Sequence, residues 1–323
     1  MLAFAQVGFN SPEGVTVDLR GNVFVADTGN DRIMKFKTDG TFIKTWGSFC
    51  VARTGTGCED PDGIGGLSKG DGQFLVPYDL ATDSSGNVYV AEFENSRIQK
   101  FKSDGTFIRK WGSEGKGNSQ FGIIRGIGVD SAGNVYVAEE DNDRIQKFKS
   151  DGTFIRKWGT DGSGNGQFQH VEDAAISPKT GNVYTVESGD TNRVQVFTSG
   201  GKFLFKWGSS GGYALEIDSD GNVYVLDGSS IQKFNSNGAF IRKGGSTGTG
   251  IGKFQGAGGI GIDRSANNVF VADTENNRIQ EFTSGGKFIR SWGTLGSTGV
   301  FVNTGSNVLE TGNTVSPVSP FGD

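Results

Sequence analysis

The stretch 121–148, FGIIRGIGVDSAGNVYVAEEDNDRIQKF, decides the fold. Short runs of β-branched and aromatic residues alternate with Gly, Asp and Asn, the pattern of strands joined by tight turns. Asp130-Ser131-Ala132-Gly133-Asn134 separates Gly126-Ile127-Gly128-Val129 from Val135-Tyr136-Val137-Ala138. Asp bonds backbone two residues on, and Gly accepts positive φ. A second turn precedes Arg144-Ile145-Gln146-Lys147-Phe148. A third, Ser150-Asp151-Gly152, precedes Phe154-Ile155-Arg156-Lys157-Trp158. The unit is therefore an antiparallel meander of four short strands.

The unit recurs along the whole chain. One Phe series runs Phe36, Phe101, Phe148, Phe197, Phe234 and Phe282. A Trp series runs Trp46, Trp111, Trp158, Trp207 and Trp292, with Gly244 in the remaining slot. An Asn-Val pair begins at Asn22, Asn87, Asn134, Asn182, Asn222 and Asn268. Spacings of about 40 to 65 residues suit propeller blades. A lone meander cannot bury both faces, whereas a radial stack can, leaving only short edges. The sequence predicts an all-β chain: a six-bladed β-propeller of four-stranded antiparallel blades. The blades fall at about 9–47, 74–112, 121–159, 168–208, 211–245 and 254–293. The Phe and Trp series are expected to fill the layers between blades.

Residues 1–8 read as an N-terminal strand or as the remnant of a signal peptide. Ala3-Phe4-Ala5 has the small-residue form of a cleavage site, without the basic and apolar regions that precede one. Ring closure stays open, with pairing of Leu2–Val7 on blade six as one route. The 294–323 tail is rich in Gly, Ser, Thr and Pro and reads as a linker, in which 299–302 would make an edge strand. Blade five is degenerate: Gly228-Ser229-Ser230 replaces the usual Asn-x-Arg turn. The loop from Ser48 to Gln73 is far longer than its counterparts.

The copies at 9–36, 74–101, 121–148, 168–197 and 254–282 share F-x-x-P-x-G-[IV]-x-[VI]-D-x-x-G-N-V-[YF]-V-A-[DE]-x-x-N-x-R-I-Q-K-F with variations. This pattern resembles the NHL-repeat family. The resemblance covers 9–293 and implies a six-bladed propeller. It is similar to the NHL domains of extracellular sensor proteins and of TRIM-NHL proteins, without their RING and B-box modules. It therefore implies partner binding rather than ligase activity. Similar propellers include calcium-dependent lactonases and a zinc-dependent peptide lyase.

Composition removes several classes. Net charge is −5 with both signs interspersed, so no basic domain marks a nucleic-acid surface. The acids Glu92, Glu94, Glu139, Glu140, Asp141 and Asp143 are expected to make the loops hostile to RNA. No apolar run is long enough to span a membrane. No G-x-S-x-G elbow, P-loop, Rossmann fingerprint or H-E-x-x-H is present. His170 is the single histidine, which disfavours a zinc site. Cys50 and Cys58 share one loop, either as a disulfide, which implies an oxidising compartment, or as two thiols. A secreted or cell-surface location is expected, with a cytoplasmic one left open.

A meander places its first-to-second and third-to-fourth turns on one side of the ring, where they are short and uniform. Second-to-third turns and blade-to-blade loops lie opposite and vary, and variable loops on a rigid scaffold are where binding lives. The innermost strands enter from that variable face through a slot holding Glu13, Tyr78, Arg125, Glu172, Tyr213 and Gly258. Unlike residues in equivalent positions mark this channel mouth as the candidate ligand site, since aromatic and Arg side chains anchor interfaces. The next slot holds Asp79 and Asp173. With Glu13 and Glu172 they offer the oxygens that Ca²⁺ takes, and calcium is the one cofactor the sequence leaves open. Glu216 stands where other copies have small residues, and an ion pair with Arg125 would account for it. The pairs Asp27/Arg32, Glu92/Arg97, Glu139/Arg144, Glu187/Arg193 and Asp273/Arg278 recur too regularly to be catalytic and read as structural ion pairs. Basic residues in the fourth strands read as guards of the outer edges.

The expected function is a non-catalytic platform that recognises a protein, peptide or glycan partner through its variable face. The alternative is a calcium-dependent lactonase- or lyase-like enzyme with its site in the central channel.

Overall fold

The computed structural model describes residues 8–47 and 70–293. Cys50, Cys58, Ala3-Phe4-Ala5, residues 48–69 of the long loop and the 294–323 tail lie outside the described residues. The described chain forms six four-stranded antiparallel sheets, each taken in order from consecutive strands. Blade one comprises Pro12–Val17, Asn22–Asp27, Arg32–Lys37 and Phe42–Trp46. The remaining blades span 77–111, 124–158, 171–208, 214–244 and 259–292. The all-β six-bladed propeller read from the repeat is the observed fold.

The turn chemistry explains the registers. Asp83 accepts Ser85 and Asn87 backbone N–H groups on one oxygen, and Asn87 Nδ2 and Tyr89 Oη donate to the other. Asp130 and Asp218 repeat that arrangement. These hairpins are therefore held by hydrogen bonds within their own blade.

The core is six apolar clusters, each straddling two adjacent blades. The Trp of one blade reaches the Phe of the next: Trp46 to Phe101 at 6.1 Å, Trp111 to Phe148 at 6.1 Å and Trp292 to Phe36 at 5.9 Å. A Cβ on Gly105 would stand 2.9 Å from Trp46, so glycine in the neighbouring hairpin lets the indole lie flat on backbone. Burying one such ring contributes about 2–3 kcal/mol, and the repeat multiplies that around the ring.

Blade six meets blade one by the same packing. Ser11 N–H donates to Asn277 Oδ1 and Thr274 Oγ1 to the Pro12 carbonyl. Among the described residues each blade uses four strands of its own, and none is exchanged.

Two readings of charged residues change. Glu92 and Glu139 were expected on loops, but each ends a second strand and is fully buried by its arginine. The fourth-strand cations do more than guard edges. Lys44 donates to the Asp104 carbonyl of the next blade, Arg109 to Asp151, Arg156 to Gly200 and Arg242 to Gly285. They latch these four blades to the following hairpin, because a long side chain on the outer strand reaches carbonyls that the hairpin leaves unpaired, whereas Arg290 pairs with Glu281 of its own blade.

Candidate ligand-binding face

Two kinds of acid–arginine pair meet at the variable face. The repeated kind is structural. Arg144 Nε donates to Glu139 at 2.7 Å, and its other nitrogens donate to the Lys116, Gly117 and Gln120 carbonyls of the incoming loop. Gln146 Nε2 bonds both Gln120 O and Glu139. The equivalent pairs are Asp27–Arg32, Glu92–Arg97, Glu187–Arg193 and Asp273–Arg278, at 2.6 to 2.8 Å. The glutamine partner was not singled out from sequence, although Gln99, Gln195 and Gln280 occupy the same place.

The other kind occurs at the channel mouth. Arg125 Nε donates to Glu140 Oε2 at 2.6 Å and lies 3.6 Å from Glu172 Oε2. Its guanidinium carbon is 5.4 Å from the Tyr78 ring centre and 5.2 Å from that of Phe93, while Nη1 donates to Tyr78 Oη at 3.1 Å. Cation–π contact and two carboxylates thus fix the arginine from several sides. Ser188 Oγ holds Glu172 at 2.5 Å, and His170 Nδ1 lies 3.3 Å from Glu140. Sequence reasoning placed Tyr78, Arg125 and Glu172 together, and the structure joins them. It missed Glu140, Phe93 and Ser188, which come from second-to-third turns.

Glu13 and Tyr213 stand apart from that knot. Glu13 leans across the blade-six strand, where a Cβ on Gly258 would fall 1.8 Å from its carboxylate. Burial pushes its carboxyl up to about 7, against the pull of a long Thr274 hydrogen bond and of Arg125. Tyr213 is half exposed, with its ring against Gly228.

Below the mouth, Asp79 Oδ2 accepts the Ile127 N–H at 2.9 Å and Asp173 Oδ2 the Leu215 N–H at 2.8 Å. Each carboxylate ties its strand to the next blade. Burial raises Asp79 to about 7 and also raises Asp173, which faces the Asp79 charge. Glu216 pairs with Arg264 at 3.3 Å rather than with Arg125. Arg125 is held at the mouth by Glu140, whereas Arg264 follows blade six's first strand beside Glu216. The channel here encloses about 40 Å³, room for a few waters. Among the described residues no three His, Cys, Asp or Glu side chains are grouped to hold a metal ion. Asp79 and Asp173 each accept a backbone N–H of the next blade, and Glu172 accepts the Ser188 hydroxyl and faces the Arg125 guanidinium.

Comparison with known proteins bears on the repeat. A model described as NHL repeat matches residues 9–36, 74–101 and 254–282. The chain is a six-bladed propeller that carries NHL repeats. Peptidyl-glycine alpha-amidating monooxygenase A of Xenopus laevis is 37% identical over 106 residues, 32% of this chain and 10% of that protein. Protein brain tumor of Drosophila melanogaster is 31% identical over 107 residues, 32% of this chain and 9% of that protein. The matched part of the chain thus spans about a tenth of these relatives. Among solved structures, a gluconolactonase from Xanthomonas campestris aligns with a TM-score of 0.60 at 11% identity, covering 83% of this chain and 85% of that one. At that identity the likeness is one of fold.

Proposed function

We propose that this NHL propeller is a binding platform that recognises a protein, peptide or glycan partner at its variable face, centred on Tyr78, Arg125, Glu172, Glu13 and Tyr213. The observation that carries the reading is the Arg125 knot. Five blades repeat one acid–arginine device for stability, whereas Arg125 is clamped by residues of blades two, three and four at a place that stability does not require. An arginine immobilised beside aromatic rings has already lost its conformational entropy, which favours it as an interface anchor. The half-exposed Tyr213 adds an amphipathic surface across the mouth.

The channel reading is less favoured. The space between Asp79, Asp173 and Glu216 is about 40 Å³, too small for a lactone at that depth of the channel.

Peptide and glycan arrays probed with the full chain test the proposal. Arg125→Ala and Tyr213→Ala should each weaken the captured interaction at least tenfold, and Asp39→Asn on the opposite face should leave it unchanged. Binding that ignores both mouth variants, or that follows Asp39, would sink the reading.

A further inference from the structure

The outer strands share one plan, and blade four departs from it. At the middle position of the fourth strand the other blades carry Lys44, Arg109, Arg156, Arg242 and Arg290. Blade four carries Phe205. The latch to the next hairpin is replaced there by a ring that stacks on Trp207, with centres 6.0 Å apart and planes 23° apart. Trp207 in turn meets Phe234 of blade five at 5.7 Å, and Phe234 meets Phe240 at 5.8 Å. The aromatic chain reaches the surface at Phe240, which is 59% exposed, and Leu204 on the outer strand of blade four is 40% exposed.

This strand, Phe203–Gly208, is also the longest outer strand, with six residues against five in the other blades. Its outward edge has no neighbouring strand among the described residues. Backbone N–H and C=O groups on such an edge seek another strand unless charge guards them. In an antiparallel pair centred on the middle residue, each of the other five edges sets two cations directly opposite each other, which is unfavourable. In blade four the same register sets Phe205 against the partner subunit's Phe205. Lys206 then falls against the partner's Leu204, along which its aliphatic stem can lie.

We propose that this propeller forms a two-fold dimer by antiparallel pairing of the Phe203–Gly208 edge with the same edge of a second copy. The two blade-four sheets join into one continuous sheet, with Phe205 and Leu204 of each copy at the centre of the interface. The variable face stays open on both copies, so each dimer presents two ligand sites.

Sedimentation velocity of the full chain over a concentration series tests this. The wild-type chain is expected to show a monomer–dimer equilibrium. Phe205→Arg restores the guard that other blades carry and should weaken the dimer at least tenfold. Leu204→Lys, a change at an exposed position that leaves the Phe205–Trp207 stack intact, should do the same and decides the matter if Phe205→Arg misfolds. A chain that stays monomeric at every concentration overturns the proposal. So does a dimer that both variants leave intact.

Discussion

Glu139 and Glu140 are neighbours in sequence, and each holds an arginine, but the two pairs do different work. Glu139 is fully buried and binds Arg144, which caps three carbonyls of the incoming loop. That device recurs in four other blades. Glu140 turns the other way and holds Arg125 under two aromatic rings at the channel mouth, an arrangement present in blade three alone among the described residues. One residue step separates what the ring needs in order to stand from what distinguishes this ring from others. The comparison teaches where to look in a repeat protein: stability lies in the positions that agree, and recognition in those that do not.

The largest expected effect breaks the first pair. Arg144→Ala leaves Glu139 as an uncompensated buried charge and strips three carbonyls of their donor. The cost should be about 3–5 kcal/mol, read as a lower midpoint in urea unfolding. Blade five shows that the position can be satisfied otherwise. Asp227 there is held by Ser229 N–H, by Ser230 through both N–H and hydroxyl, and by the Ser210 hydroxyl, and the incoming loop is short. If Arg144→Ala costs under about 1 kcal/mol, the range of an exposed pair, the structural reading of the repeated pairs is wrong.

The second effect belongs to the mouth and depends on pH. Glu13 titrates near 7 in the folded chain, above its ordinary value of 4.5, because burial disfavours the carboxylate. A raised carboxyl binds more protons folded than unfolded. Its favourable share is therefore complete below about pH 4.5 and lost as pH rises through about 7. Glu13→Gln should raise the melting temperature at pH 8, by an amount corresponding to about 1–2 kcal/mol after allowing for partial solvation, and should change little at pH 4.5. An equal gain at both pH values would assign the effect to packing against Gly258 instead of charge.

How much of this was legible in the sequence follows from the same contrast. The blades, their registers and the five ion pairs were readable because each is written several times, and comparing copies cancels noise. Strand ends moved by a residue or two, as with Ile124–Val129 against an expected start at Gly126. Cross-blade partners were not readable from one copy. Glu140 and Phe93 come from turns whose side chains vary freely, so nothing in the repeat announces that they converge on Arg125. Glu216 was assigned the wrong arginine because Arg125 was chosen by its slot and not by its height along the channel. Glu92 and Glu139 were counted among the loop acids as well as in the ion pairs, because the repeat pairs each with its arginine but does not show that a glutamine and the incoming loop close over both. Phe205 was visible as the one apolar residue in a basic column. The column had been read only as edge protection, and its exception went unused.

The smallest effect sharpens the comparison at its other end. Arg125→Ala removes a guanidinium that is a quarter exposed, from a mouth that opens to water. Glu140 keeps its contact with His170, and Glu172 keeps the Ser188 hydrogen bond. Both carboxylates regain hydration when the large side chain leaves. The stability loss should therefore be about 1 kcal/mol at pH 6, well below that of Arg144→Ala in the same blade. It should grow with pH, because Arg125 opposes the upward push of burial on both Glu13 and Glu172, and without it their ionisation costs more. Parallel urea titrations of the two variants at pH 6 and pH 8 measure the gap. If Arg125→Ala is as damaging as Arg144→Ala at both pH values, the mouth pair is part of the scaffold and its value as a marker of recognition disappears. If the gap is present at pH 6 and narrows at pH 8, the Arg125 knot is electrostatic tuning laid over a ring that stands without it.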